Sequence, residues 1–425
     1  METCENKVKV VPEETGRPEI MMIGRALKRS SAVPPPSLSH LVVIMLAITC
    51  GVAVANVYYA QPLLASMAHD FGIPEASIGV VITITQLCYA SGLLLLVPLG
   101  DLVNRRLLIV CQLLLSALAL VVVASPSIFP VWLVGIGIVG LLATVTQTVV
   151  ACAAALAAPA QRGQVVGLVT SGVVIGILLA RTVAGTLADL AGWRSVYIVS
   201  AILALLMAGI LFRALPSDKT AKASLSYPQL LRSVFVLFGQ EPLLRIRAII
   251  AMLIFAAFST LWTSMTLPLS AAPFSFSHTV IGAFGLVGVA GALAAKRAGS
   301  LADRGLEQWT TGIGLALLLV SWLPISLLNH SLLAVIVGII LLDLAVQAVH
   351  VTNQSMIYRL RPEALSRLAA SYMIFYSIGS GTGSIASTLV YVRAGWIGVS
   401  VLGAAISAVA LLFWALTRSR ARGSK

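Results

Sequence analysis

Long apolar stretches alternate with short polar segments over most of the chain. A helix of about 20 mostly apolar residues is long enough to cross a bilayer core of about 30 Å. Twelve stretches meet this requirement, and Pro, Gly or charged residues interrupt nearly every gap between them. The sequence therefore predicts an all-α membrane protein with twelve membrane-spanning helices, numbered here as spans 1 to 12. Their predicted bounds, accurate to about two to four residues, are 40–64, 78–99, 107–124, 129–158, 165–188, 195–212, 248–269, 279–295, 309–328, 331–358, 368–392 and 397–416.

Two polar segments divide the chain. Residues 1–38 include the run Pro34 to Pro36 and have no apolar periodicity, which predicts a disordered tail. A charged segment between spans 6 and 7 separates six spans from six. The predicted organisation is a tail at 1–38, a six-helix bundle at 39–213, a connector at 214–247, a second six-helix bundle at 248–417 and a basic tail at 418–425.

The start of the chain allows two other interpretations. The basic run from Arg25 to Arg29, followed by span 1, resembles a cleavable signal peptide. Eleven further spans favour an uncleaved first helix instead. Met21 and Met22 are alternative start residues.

Composition excludes a soluble protein. Hydrophobic residues make up 59% of the 425 residues and charged residues only 10%, whereas soluble domains carry about 25% charged residues. The five cysteines are dispersed and form no CxxC pair. A disulfide framework or a zinc site is therefore not indicated.

The net charge of +13 reports orientation. Cytoplasmic loops of membrane proteins retain Lys and Arg. If the N-terminus is inside, 25 of the 28 basic residues lie in cytoplasmic segments, and only Arg194 and Arg393 lie in outer loops. We therefore expect a plasma (inner) membrane protein whose termini and connector are cytoplasmic. Because the positive charge is dispersed among loops, we expect no nucleic-acid partner.

The two sets of six spans repeat one another. A shift of about 200 residues aligns four landmarks at corresponding points. Four matches in register indicate two homologous halves of parallel orientation, an arrangement found in secondary transporters. The landmarks are Pro62, Leu63 and Ala65 with Pro268, Leu269 and Ala271; Gly100, Leu102 and Arg105 with Gly299, Leu301 and Arg304; Pro159 with Pro362; and Gly192–Trp193 with Gly395–Trp396.

The loop after span 8 is the most specific of these signals. The chain resembles the major facilitator superfamily over residues 39–417, because this loop is similar to that family's motif Gly-x-Leu-Ala-Asp-Arg-x-Gly, with a shortened final spacing. The resemblance implies two pseudo-symmetric six-helix bundles, with spans 1, 4, 7 and 10 around a central cavity. It also implies a cytoplasmic latch whose charges hold one conformation closed; ordinary loop charge is the alternative. The latch residues are Gly100, Asp101 and Arg105 in the first copy and Gly299, Asp303 and Arg304 in the second.

Three features depart from the pattern of that family. Asn104 replaces the usual Asp in the first copy of the loop motif. No Lys or Arg occurs between Arg106 and Arg162, where antiporters of the family usually carry an Arg in span 4. Ala180 and Arg181 stand where a glycine-proline pair is expected late in span 5. The coupling residues are therefore expected to differ from those of the familiar drug exporters.

Ionisable residues deep within the spans are rare. Such residues are costly in a bilayer and are functional candidates. The sequence places Asp343, Arg181 and His350 in this class, and Asp343, Gln347, His350 and Gln354 share one face of span 10. We predict that Asp343 loads and releases a proton, with His350 as a second titrating group; bonding between neighbouring helices is the alternative.

Arg181 and Asp343 are predicted to lie at similar depth on opposite halves. Arg181 is about 18 Å from the outer end of span 5, and Asp343 is about 20 Å from the outer end of span 10. We hypothesise that the two residues pair in one conformation and separate in another. The alternative is that Arg181 faces a water-filled cavity as an anion-binding charge.

Polar residues on the inner spans are candidates for substrate binding. Two tyrosines of span 11, Tyr372 and Tyr376, lie four residues apart and join this set. Amides, hydroxyls and aromatic rings suit a neutral or amphiphilic small molecule. Small residues at every fourth position of span 5, from Gly172 to Ala188, predict close packing against the glycines of span 8. The cavity candidates are Asn56, Tyr58, Tyr59, Gln61, Gln147, Gln347, Gln354, Tyr372 and Tyr376.

No motif for an enzyme or an ATP-driven pump is present. The glycines Gly135, Gly137 and Gly140 have dinucleotide-binding spacing but lie inside an apolar helix with no preceding strand. We therefore predict a non-enzymatic, monomeric, proton-coupled exporter that needs no cofactor or metal and whose partners are a small-molecule substrate, protons and lipid. An uncoupled facilitator or uptake carrier, and less favourably a membrane sensor, remain open.

Overall fold

A computed structural model describes residues 39–125, 128–157, 162–216, 226–288, 305–361 and 365–418. The secondary structure of these residues is helical. Two short 3-10 turns interrupt the helices, at Gln61–Leu63 and Val97–Asp101. The α-helices are His40–Tyr58, Leu64–Phe71, Glu75–Ile78, Val80–Leu95, Arg105–Ala124, Phe129–Leu142, Val145–Leu156, Arg162–Ala191, Trp193–Ala214, Tyr227–Gln240, Pro242–Ser264, Thr266–Ser270, His278–Val287, Glu307–Ser326, Leu332–Tyr358 and Leu365–Thr417.

Within the described residues, ten helical segments are long and apolar enough to cross a membrane. The last segment passes through Gly395, whose backbone is not helical (φ 60°, ψ −159°), and therefore contains both span 11 and span 12. Span 8 begins as the shorter apolar helix His278–Val287. These segments account for the twelve predicted spans and confirm the all-α membrane fold.

The repeat between the halves extends to backbone geometry. Gly192 begins span 6 with φ 79° and ψ 157°, and Gly395 begins span 12 in the same region of positive φ and extended ψ. Residues with a side chain rarely adopt this region. Trp193 and Trp396 follow the two glycines, and both rings are buried. The same turn therefore links the fifth and sixth helix of each half.

Prolines break spans 1 and 7 at corresponding positions. Pro62 cannot donate a hydrogen bond to the carbonyl four residues earlier, and the helix tightens into a 3-10 turn. Pro268 lies in the short helix Thr266–Ser270, which follows a break after Ser264. The two breaks meet, because Oγ1 of Thr266 donates a 2.8 Å hydrogen bond to the carbonyl of Gln61.

Two predicted boundaries differ from the structure. Span 1 continues to Phe71, well past the predicted end at 64. Span 7 begins at Pro242, six residues before the predicted start at 248, because proline is well tolerated in the first turn of a helix. Hydropathy places a span only where residues are apolar. It therefore missed the end of span 1, which contains His69 and Asp70, and the start of span 7, which contains Arg245. The helix Tyr227–Gln240 lies inside the predicted connector.

Some predictions fall outside the described residues. These are the tail at 1–38, most of the basic tail at 418–425, and the second copy of the latch at Gly299, Asp303 and Arg304.

Spans 3, 6, 9 and 12 expose apolar side chains on the surface of the bundle, where lipid would lie. Examples are Leu118, Ile202, Leu323 and Leu412, each more than half exposed. The polar residues of the protein interior therefore come mainly from the other eight spans.

Candidate central transport site

Glycines bring spans 5 and 8 into contact. A Cβ atom on Gly282 would lie 2.3 Å from the carbonyl oxygen of Arg181, and one on Gly185 would lie 2.1 Å from that of His278. Oγ1 of Thr182 also donates a 3.1 Å hydrogen bond to the carbonyl of Gly282. The predicted approach of these two spans is therefore confirmed.

The face of span 5 that makes this contact was predicted incorrectly. Gly172 and Gly176 pack against the backbone of span 1, at Ala47 and Gly51, and not against span 8. The residues facing span 8 lie about a quarter turn away, around Arg181 and Gly185. Spacing of four identifies a close-packing ridge, but it does not identify the partner helix.

Arg181 is buried where the two halves meet. Its Nε donates a 2.7 Å hydrogen bond to Oε1 of Gln61 in span 1. Its Cζ lies 3.9 Å from the ring centroid of Trp262 and 5.2 Å from that of Tyr58. Its Nη2 is buried and has no hydrogen-bond partner among the described residues. Arg181 is therefore held by an amide and by aromatic faces, with its Nη2 nitrogen unpaired among the described residues.

Asp343 lies at the edge of the same tryptophan. Nε1 of Trp262 is 3.3 Å from Oδ1 of Asp343. A Cβ atom on Gly288 of span 8 would lie 2.8 Å from Oδ2, so span 8 closes over the carboxylate. Arg181 and Asp343 form no direct ion pair in the described structure, but Trp262 contacts both. The sequence identified Arg181 and Asp343 as the charges deep within their spans, but it did not identify Trp262.

A pair of tyrosines joins the halves beside this cluster. The hydroxyls of Tyr58 in span 1 and Tyr376 in span 11 are 2.7 Å apart. The ring centroid of Tyr376 lies 4.0 Å from that of Phe255 in span 7. Gln86 of span 2, which sequence reasoning did not select, also lies near Tyr376. We call Gln61, Tyr58, Arg181, Trp262, Asp343 and Tyr376 the central cluster.

The other candidates from span 1 lie away from the interface between the halves. Oδ1 of Asn56 accepts a 2.7 Å hydrogen bond from Ser200 in span 6, and Tyr59 also contacts Ser200. Gln147 of span 4 contacts Tyr89 of span 2. The structure therefore brings Tyr58 and Gln61 into the central cluster but directs Asn56 and Tyr59 into the first half.

The remaining polar residues of span 10 continue down one face. Gln347, His350 and Gln354 are partly exposed. Nδ1 of His350 lies 2.9 Å from the hydroxyl of Tyr372 in span 11. His350 and Tyr372 belong to the same half, so this pair is separate from the contact between the halves.

A buried arginine that the sequence did not identify lies near these residues. Arg247, assigned above to the connector, is 1% exposed within span 7. Its Nη1 donates hydrogen bonds to Thr311 Oγ1 at 3.1 Å and to Asn353 Oδ1 at 3.3 Å. Its position near the charged start of span 7, close to Arg245, hid it from a search based on apolar stretches.

Hydrogen bonds also close the halves at the end where span 1 terminates, which we call the sealed end. Asp189 at the end of span 5 accepts from the backbone N–H groups of His278 and Thr279, at 3.1 and 2.7 Å. Nε2 of His278 lies 2.6 Å from Oγ of Ser66. Oγ of Ser384 in span 11 donates to the carbonyl of Gly79, beside span 2. Span 1 therefore meets span 8 on this side of the central cluster, as well as span 7 through the bond from Thr266 to Gln61. Span 5 meets span 8, and the start of span 2 meets span 11.

The first copy of the loop motif lies after span 2. Nε of Arg105 donates a 3.0 Å hydrogen bond to the carbonyl of Gly100, which stabilises the turn. The side chain of Asp101 lies outside the described structure. The described residues contain no group of three or more His, Cys, Asp or Glu side chains arranged to hold a metal.

Comparisons with known proteins agree with this architecture. The family model of the Major Facilitator Superfamily matches residues 46–323 and 247–425. The "Uncharacterized transporter YgaY" of Escherichia coli O157:H7 is 49% identical over 381 residues, which cover 90% of this chain and 96% of the relative. The "Probable transporter SCO4007" of Streptomyces coelicolor is 30% identical over 377 residues, covering 88% and 86%.

A solved structure shows the same fold. The crystal structure of a bacterial homologue of the human lysosomal transporter Spinster, inward-facing and unoccupied, superposes with a TM-score of 0.75 at 15% identity. The match covers 90% of this chain and 97% of the other. Two halves of six spans, a polar cluster where they meet and a family match over most of the chain lead to one conclusion. The chain belongs to the major facilitator superfamily and is a multi-pass membrane transporter of that kind.

Proposed function

We propose that this protein is a secondary active transporter that exports a small neutral or amphiphilic molecule in exchange for protons. Asp343 is the proton acceptor. The observation that carries this proposal is the position of Asp343, the one buried carboxylate among the described residues, beside Arg181 where the halves meet. Alternating access moves the halves relative to each other, so a titrating group at their contact is exposed to each side in turn.

Orientation follows from the distribution of basic residues. With 25 of 28 Lys and Arg in segments on one side, both termini are cytoplasmic in the inner membrane. The sealed end then faces outward, and the conformation is closed to the outside. The contacts at Asp189, Thr266 and Ser384 support this assignment. The protein acts as a monomer, since each chain contains both halves of one transport unit.

The substrate class follows from the groups that surround Arg181. The aromatic rings of Trp262, Tyr58 and Tyr376 provide apolar faces, and Gln61 provides an amide. The unpartnered Nη2 of Arg181 is a donor for a carbonyl or hydroxyl oxygen. Such a lining favours a molecule with apolar surface and a few oxygen acceptors.

Residues outside the central cluster have supporting roles in this proposal. His350 and Tyr372 form a second titratable site along the face of span 10. Gln147, Gln347 and Gln354 line the path on the cytoplasmic side of the cluster. Asn56 and Tyr59 support span 1 against span 6 and do not contact substrate.

The loop motifs act as the cytoplasmic latch. In the first copy, the hydrogen bond from Arg105 to the carbonyl of Gly100 stabilises the turn that contains Asp101. In the second copy, Gly299, Asp303 and Arg304 have the corresponding roles. The latch holds the outward-open conformation closed on the cytoplasmic side.

A transport assay with a matched pair of variants tests the proposal. A thermal-shift screen of sugars, neutral metabolites and amphiphilic dyes on the purified protein selects a compound, whose flux is then measured in proteoliposomes with and without a pH gradient. The wild type is expected to export the compound faster when protons flow inward. Asp343→Asn should lose this acceleration but keep exchange of labelled for unlabelled compound, because binding and alternating access remain.

Asp70→Asn is the matched control. Asp70 bonds to Trp193 and Arg194 within the first half and is remote from the centre, so its variant should keep the response to the gradient. A wild-type flux that ignores the gradient would identify an uncoupled facilitator. Acceleration by protons moving in the same direction as the compound would identify an uptake carrier.

A further inference from the structure

Trp262 contacts both charged residues of the central cluster and is almost fully buried. Its indole nitrogen lies 3.3 Å from Oδ1 of Asp343, and its ring centroid lies 3.9 Å from Cζ of Arg181. Arg181 belongs to the first half, while Trp262 and Asp343 belong to the second. The indole therefore carries a contact between the halves on its face and a contact within the second half on its edge.

The strength of this arrangement depends on the charge of Asp343. An indole N–H is a donor only, and its hydrogen bond to an ionised carboxylate is stronger than one to a neutral carboxyl group. The guanidinium of Arg181 is attracted both by the indole face and by a negative charge on Asp343. When Asp343 is ionised, all these attractions act together; when Asp343 is protonated, only the attraction to the indole face keeps its full strength.

We propose that Trp262 is a positioning residue that locks the empty carrier in the conformation closed at the sealed end as long as Asp343 is ionised. A proton on Asp343, or a substrate that occupies the face of Trp262, releases Arg181 and lets the halves separate. This inference rests on the proposed function and deepens it. The lock prevents the empty, ionised carrier from changing sides, which is the step that would dissipate a proton gradient without moving substrate.

The pH response of the lock follows from linkage. The locked state holds one proton fewer on Asp343 than the released state does, so lower pH favours release. The effect of Asp343 has to be distinguished from that of other charged or titratable groups. The groups near it are Arg181 in span 5, Tyr58 in span 1 and Tyr376 in span 11, while the residues that face it from spans 7 and 8, Trp262 and Gly288, do not titrate. Two histidines lie further away: His350 along span 10, and His278, which contacts Asp189 at the sealed end.

A substrate-free distance measurement tests the lock. Spin labels are placed at His69→Cys in the first half and Ala271→Cys in the second, both exposed near the sealed end, in a chain without its five native cysteines. Pulsed electron paramagnetic resonance then records the distance in proteoliposomes from about pH 8.5 to about pH 5.5, a range in which linkage shifts the equilibrium. The wild type should show a population with a longer distance that grows about tenfold or more at low pH.

Variants separate the roles of the residues. Asp343→Asn, which is neutral at every pH, should show the long distance throughout, and any pH response that it retains measures His278 and the other groups. Trp262→Phe keeps an aromatic face but loses the N–H donor. It should lose a large part of the response that Asp343→Asn loses, while the direct attraction between Arg181 and the ionised Asp343 remains. The double variant, Asp343→Asn with Trp262→Phe, should lose no more of the pH response than Asp343→Asn alone. Trp309→Phe, whose ring is 69% exposed on span 9, should behave like the wild type.

Two results would overturn the inference. If Trp262→Phe folds, as judged by its thermal unfolding, and keeps the full pH response while Asp343→Asn loses it, Trp262 does not lock the carrier, although Asp343 still couples protons. If Asp343→Asn also keeps the full response, both the lock and the proposed proton acceptor are wrong. Should Trp262→Phe fail to fold, Arg181→Lys replaces it, because a lysine cannot stack its charge on the indole as a planar guanidinium does.

Discussion

The carboxylate of Asp189 binds the first turn of span 8 through His278: Oδ1 lies 3.1 Å from the backbone nitrogen of His278 and 2.7 Å from its Nδ1. The second oxygen accepts from the backbone N–H of Thr279 at 2.7 Å. An acid from one half thus caps a helix of the other half. Carboxylates stabilise helix N-termini because the N–H groups of the first turn lack partners within the helix.

Removal of this cap should open the sealed end. Asp189→Ala leaves three donors without their acceptor, at a cost of about 2 kcal/mol to the closed state, which changes the equilibrium about 30-fold. A cysteine at the buried position Ala60, in a chain without native cysteines, should then react faster with a membrane-impermeant maleimide. Asp70→Ala should leave the rate unchanged, because Asp70 binds only residues of its own half among the contacts described; equal rates for the two variants would contradict the role of Asp189.

Close approach of spans 5 and 8 predicts intolerance to a methyl group at Gly282. A Cβ atom there would lie 2.3 Å from the carbonyl oxygen of Arg181, so Gly282→Ala must force the two backbones apart. We expect a loss of about 1–3 kcal/mol in thermal unfolding and reduced transport. Gly209→Ala is the matched control, since nothing lies within 4 Å of the added atom and alanine favours the helix by about 0.5–1 kcal/mol.

The hydroxyls of Tyr58 and Tyr376 bond across the halves at 2.7 Å, so their variants should not be additive. Tyr58→Phe and Tyr376→Phe should each lower the free energy of unfolding by about 1 kcal/mol. The double variant should lose about as much as one single variant, a coupling of about 1 kcal/mol. As a control, Tyr58→Phe combined with Tyr227→Phe should be additive, because Tyr227 bonds to the carbonyl of Leu95 elsewhere; additivity in both pairs would refute the contact.

Arg247 is buried, so removing its acceptor Asn353 should lower the stability of the protein more than removing the arginine itself. Asn353→Leu leaves the buried guanidinium with one acceptor fewer, at about 2–3 kcal/mol. Arg247→Met removes the charge and its desolvation cost together and should be milder. Thermal unfolding in detergent measures both, with Arg245→Met on the exposed side of the same turn as the control. The reverse order of the two effects would mean that Arg247 is not held through Asn353.

Hydropathy, charge and the repeat predicted the membrane class, the twelve spans and the two halves. A long apolar stretch has few stable arrangements in a bilayer other than a spanning helix, so local sequence suffices for this part. The matched pairs Gly192–Trp193 and Gly395–Trp396 are repeat landmarks in the sequence. The structure shows why each begins with glycine, since both glycines have a positive φ. Orientation and the coupling residues remain predictions, and the transport assay tests the coupling residues.

The sequence alone also selected Arg181 and Asp343, because a charge within an apolar helix stands out wherever the helix points. It did not select Trp262, which looks like any other apolar residue of span 7 until the structure places it against both charges. Nor could spacing show that Asn56 faces span 6 while Tyr58, two residues later, faces span 11. Sequence fixes which residues share a face of one helix; only the rotation and approach of the packed helices decide which faces meet.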